Sequence, residues 1–87
     1  MTSGLKLGEL QPGEAAVVVG FASGESSTED QSYQQRLREL GLIQGAEVLV
    51  VNEAPYFHDP IAVRVRGSLL ALRRTEANQV WVKRLSK

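Results

Sequence analysis

The stretch Arg36-Leu37-Arg38-Glu39-Leu40-Gly41-Leu42-Ile43-Gln44-Gly45-Ala46-Glu47-Val48 decides how the rest of the chain is read. Tyr33, Leu37 and Leu40 recur at helical spacing, so an amphipathic helix leads into it. Gly41 then stops the helix, because glycine takes the left-handed conformation of a helix end at little steric cost. With Gly41 just past the cap, Leu37 and Leu42 become the apolar pair that closes a Schellman ending. Gln44-Gly45 turns the chain into a strand, Ala46 to Val51.

Upstream, two helix starts compete: Ser32 with Gln35, or Thr28 with Gln31, each with capping-box spacing. Ser23 to Gln31 is polar, acidic and poor in apolar side chains, which predicts a mobile loop. Before it, Ala15-Ala16-Val17-Val18-Val19-Gly20-Phe21 is a short β-branched run, read as a strand. Leu5, Leu7 and Leu10 lead into the Gln11-Pro12-Gly13-Glu14 turn. Downstream, Pro55 and Pro60 pin a loop, and Ile61-Ala62-Val63-Arg64-Val65-Arg66 alternates as a strand with Ile61, Val63 and Val65 inward. Gly67-Ser68 turns into Leu69 to Arg73, Thr75 can cap one helical turn, and Val80-Trp81-Val82-Lys83 closes the chain with Trp81 outward. The pattern predicts a mainly β fold: a small closed or partly closed barrel of about five strands, with one α-helix inserted after the first.

The 87 residues suffice for one domain, 1–87, with a modest core. There is no cysteine, so disulfides and thiolate metal sites are excluded. No leader-type apolar segment and no run of ~20 apolar residues is present, and a cytoplasmic protein without membrane insertion is the expectation. Formal net charge is zero, but residues 1–45 carry −3 and residues 46–87 carry +3. A zero total argues against a dedicated nucleic-acid binder using Arg64, Arg66, Arg73 and Arg74, while the asymmetry leaves room for an acidic partner.

Chemistry is sparse. His58 is the single histidine, and no nucleophile elbow or phosphate-binding glycine loop occurs, so an enzyme is not expected. His58 and Asp59, with Glu53 nearby in sequence, form a candidate weak site for a divalent transition metal such as Fe2+, Mn2+ or Zn2+; solvated loop polarity is the plainer reading. Tyr56 and Phe57 are adjacent aromatics between prolines, suited either to partner contact or to plugging the barrel mouth.

Taken in order, these pieces resemble the FeoA domain. The leucine, glycine, apolar pair and second glycine from Leu40 to Gly45 resemble its helix-turn signature. Asp59 to Gly67 resembles its central hairpin, and Leu70 to Ala77 with Val80-Trp81-Val82 resembles its close. Ser23 to Gln31 departs from the pattern by its length. The resemblance implies an SH3-like barrel and a small accessory or regulatory protein of bacterial ferrous iron uptake. It implies contact with the FeoB-type membrane GTPase permease on the cytoplasmic side. Arg38, Leu42, Ile43, Tyr56 and Phe57 are the expected contact residues. An alternative is a metal-binding SH3-like domain related to the C-terminal modules of iron-dependent repressors. A homo-oligomer is left open.

Overall fold

The computed structural model describes residues 4–21, 28–55 and 57–85. Tyr56 and residues 22–27, the larger part of the expected mobile loop, lie outside the described residues. Elements run β1 (Leu5–Lys6), a 3-10 turn (Leu7–Glu9), β2 (Ala15–Phe21), α1 (Thr28–Glu39), β3 (Glu47–Glu53), β4 (Ile61–Val65), β5 (Ser68–Leu72), α2 (Arg74–Ala77) and β6 (Val80–Arg84). All strands form one antiparallel sheet in the order β1-β6-β2-β3-β4-β5.

The sequence predicts about five strands; the sixth is the two-residue β1, too short to show periodicity, paired as Leu5 with Val82 and Lys6 with Trp81. Thr28 begins α1, so residues 28–31 belong to the helix and not to a loop. Arg66 is a turn residue: it and Gly67 have φ of 53° and 84°, the double positive φ of a two-residue hairpin turn matching strand twist. Register shifts in β2 between Val18 and Gly20, and in β3 between Val50 and Asn52, mark bulges that help the sheet curve.

The core is a single cluster. Leu7 and Leu10 from the opening, Ala16 and Val18 of β2, Val48 and Val50 of β3, and Ile61, Val63 and Val65 of β4 meet Leu72, Ala77, Val80 and Val82. β1 and β5 do not pair, so the barrel is open between its two edge strands. α1 joins this core through Leu37, 3% exposed, while Tyr33 and Leu40 remain 41% and 38% exposed. The predicted apolar stripe is therefore buried at one position only.

The helix end follows the Schellman pattern. The Leu42 N–H donates to the Leu37 carbonyl at 3.0 Å and the Gly41 N–H to the Arg38 carbonyl at 3.0 Å, with Gly41 at φ 111°. Leu42 is fully buried, which makes its side chain worth ~1.5–3 kcal/mol. The Ala46 N–H donates to the Ile43 carbonyl at 2.9 Å with Gly45 at φ 91°, a type II turn. The Gly45 N–H and Val18 carbonyl then tie the turn to β2 at 2.8 Å.

Candidate functional site

The loop from β3 to β4 is held by one side chain, Arg74 of α2. Its Nη2 meets Glu53 Oε1 at 2.6 Å, and its Nε donates to the His58 carbonyl at 2.7 Å. Its Nη1 donates to the carbonyls of Gly8 and Leu10. A single guanidinium thus joins the end of β3, the loop and the opening 3-10 turn, a task suited to its fixed fork of donors. The Asp59 Oδ1 accepts from the Arg74 backbone N–H at 2.9 Å, which satisfies a free donor at the start of α2. Thr75 does not cap this turn: it lies inside α2, whose N-cap is Arg73, with the Glu76 carboxylate accepting from the Arg73 N–H at 3.0 Å.

Phe57 and His58 both have positive φ, 63° and 56°, uncommon for residues with a side chain. The Ala54 N–H to Pro60 carbonyl bond, 2.9 Å, closes the loop base beneath them. The result is an aromatic ring presented outward: Phe57 is 92% exposed. Its expected companion Tyr56 lies outside the described residues.

Each candidate metal ligand already has a partner. His58 Nδ1 lies 2.8 Å from Glu53 Oε2, so that contact occupies Nδ1 and leaves Nε2 as the ring nitrogen open to a ligand. Glu53 is at the same time the counter-ion of Arg74, and Asp59 is engaged as a cap. Among the described residues no three acidic or histidine side chains are placed to share an ion. A metal bound by Glu53 would face the Arg74 cation, so Glu53 would have to give up that pair to ligate an ion.

The expected contact residues divide. Leu42 is fully buried as the cap partner of Leu37 and is not on the surface, so it leaves the contact set. Ile43 is 40% exposed, and Arg38 lies over the Phe21 ring at 5.1 Å. Ile43 precedes β3 and Phe57 follows it, so they lie beyond opposite ends of a seven-residue strand that is itself ~20 Å long. The strand that runs between the same two ends at the sheet's edge is β5, with Ser68 beside Val65 and Leu72 beside Ile61. Sequence reasoning missed Arg74 as the organiser of the loop; nothing in its neighbourhood, Arg73-Arg74-Thr75, separates it from the solvated arginines.

Elsewhere, Lys6 Nζ lies 5.3 Å from the Trp81 ring, so the outward-facing indole is partly covered by β1. Glu14 bonds Arg84 at 3.0 Å and accepts from the Gln11 N–H at 2.7 Å. That backbone bond, helped by Arg84 and opposed by partial burial, holds its carboxyl below the ordinary value.

A small partly open antiparallel barrel, with one stiffened aromatic loop and two edge strands, defines a module of the SH3-like kind. The chain belongs to the FeoA-domain family, whose model matches residues 5–84. The FeoA protein from Chlorobium tepidum is 38% identical, with a TM-score of 0.78 over 94% of this chain and 71% of that one. The zinc complex of Stenotrophomonas maltophilia FeoA is 34% identical, with a TM-score of 0.77 over 91% of this chain and 89% of that one. That protein is described as a prokaryotic SH3-domain protein, proposed as an activating factor of bacterial ferrous iron transport. A manganese-dependent transcriptional repressor in complex with manganese shares the fold at 16% identity, with a TM-score of 0.78 over 98% of this chain and 38% of that one. No curated protein sequence matches the chain. No helix among the described residues is long and apolar enough to cross a membrane.

Proposed function

We propose that this chain is an accessory and regulatory protein of bacterial ferrous iron uptake, acting by protein contact with the cytoplasmic side of a FeoB-type membrane GTPase permease. The family match over residues 5–84 carries the reading. It is supported by the exposed Phe57 on a loop that Arg74 pre-organises, since rigid aromatic anchors lose little entropy on binding. Arg38 and Ile43 belong to a second patch at the far end of β3. The function requires contact and no bond chemistry. Pull-down of the permease's cytoplasmic domain tests it: Phe57→Ala or Arg38→Glu should weaken capture in a chain that remains folded, and equal capture by both variants would refute it.

A transition-metal role is the second reading, favoured by the zinc in the Stenotrophomonas complex. In this chain it would have to begin at His58 Nε2, because Arg74 holds Glu53 and α2 holds Asp59. Calorimetry with Zn2+, Mn2+ and Fe2+ on the wild type and His58→Ala decides it: heat that disappears with His58 supports it, and no heat removes it.

A further inference from the structure

β5 is an edge strand whose own sequence does not protect it. Ser68-Leu69-Leu70-Ala71-Leu72 contains no charge and no proline, the devices that normally blunt an edge. Its register with β4 joins Val65 to Ser68 across a two-residue turn, so Ser68, Leu70 and Leu72 exchange bonds with β4. The N–H and C=O groups of Leu69 and Ala71 therefore point away from the sheet. The Leu69 side chain is 60% exposed and Ala71 is exposed beside it. Alongside runs a groove of about 200 Å³ whose far wall is α1, lined there by Tyr33, Arg36, Leu37 and Leu40.

Charge tells what would fit. Arg66 and Arg73 stand just beyond the two ends of β5, Arg64 lies opposite Leu69, and Arg36 is on the groove wall. All four are exposed, and none of the four guanidinium groups is in an ion pair among the described residues; the one carboxylate on the groove, Glu76, is held by the Arg73 backbone N–H at 3.0 Å. A second copy is a poor occupant. The two-fold register that pairs Leu69 with Ala71 of the other copy sets Arg66 against Arg74 and Gly67 against Arg73, so arginines meet at both ends.

We infer that β5 takes an added strand: an extended segment of a protein partner, apolar at its centre and acidic at both ends, lying between β5 and α1. Main-chain bonds to Leu69 and Ala71 supply affinity, the groove accepts a side chain, and Arg66 and Arg73 set the sign of the flanks. The inference deepens the partner-contact reading and rests on it, but its probe is a peptide. A failed permease pull-down with an intact peptide response therefore refutes that reading and leaves this one supported.

The probe is a synthetic peptide with alternating valine and threonine at its centre and glutamates at both ends, compared with the same peptide ending in lysines. The glutamate peptide should slow amide exchange at Leu69 and Ala71 and bind about tenfold more tightly at low salt. Arg66→Glu with Arg73→Glu should reverse that preference. Ala71→Pro, which removes an outward donor and no bond to β4, should abolish protection at Leu69 while β4 amides stay protected. Unchanged exchange at Leu69 and Ala71 with either peptide would overturn the inference. So would concentration-dependent protection of these amides without peptide, which would make a second copy the occupant.

Discussion

Replacing Arg74 by methionine should loosen the Phe57 loop and cost a large share of the domain's stability. The apolar stem is largely kept, so the loss is polar. The Glu53 pair is short, 2.6 Å, but both side chains are 24% exposed, so solvent screening limits it to ~1 kcal/mol. The bonds to the carbonyls of His58, Gly8 and Leu10 add ~0.5–1 kcal/mol each after water's competition. The sum is ~3 kcal/mol, against the ~5–15 kcal/mol typical of whole domains. At this chain length each kcal/mol moves Tm by ~4–8 °C, which gives a fall of ~12–24 °C. Urea unfolding followed by Trp81 fluorescence measures the loss, and hydrogen exchange at Ala54 reports opening of the loop base. Arg74→Lys keeps the charge but not the fork, and should recover only ~1 kcal/mol. A Met variant within ~0.5 kcal/mol of wild type would refute the reasoning, because the charged bonds would then be no better than bonds to water.

Gly41→Val forces a β-branched residue to φ 111° and brings its Cβ to 3.2 Å from Arg66 Cδ, so urea unfolding should show a loss of ~2 kcal/mol. Gly4→Ala would drive a Cβ into the Trp81 ring, so β1 or the indole must shift; a change in indole emission with little change in the β2 and β3 amides is the expected result. Glu14 has a folded-state pKa below its unfolded one, so its stabilisation is present above the unfolded value, ~4.3, and is lost as pH falls through the folded value. Acid titration of stability should accordingly be shallower in Glu14→Gln than in wild type below about pH 4.

The parts of this fold legible in the sequence are those written in local chemistry. Gly41 and Gly45 announced a helix end and a turn because positive φ selects glycine, and Leu37 with Leu42 followed from the geometry of that ending. Inward residues of β4 were plain from alternation. Tertiary context decided the rest. Pairing with β6, not any pattern in two residues, makes β1 a strand. Asp59 caps α2 from a loop fifteen residues earlier, which no capping rule of sequence neighbours can find. Tyr33 and Leu40 repeat with Leu37, but only Leu37 reaches the core. Glu53, His58 and Asp59 are neighbours in sequence, but sequence gives proximity and not partners; Arg74 engages two of them. Phe57 was legible as an exposed aromatic candidate, but its separation from Ile43 by the length of β3 needed the topology.

The central claim is partner contact through a pre-organised Phe57, and titration calorimetry of the chain against the permease's cytoplasmic GTP-binding domain tests it most directly. The account predicts saturable binding that Phe57→Ala weakens by about thirtyfold or more, the ~2 kcal/mol of a hot-spot aromatic, with the variant's unfolding curve unchanged. Binding of the Phe57→Ala chain with wild-type affinity would contradict it.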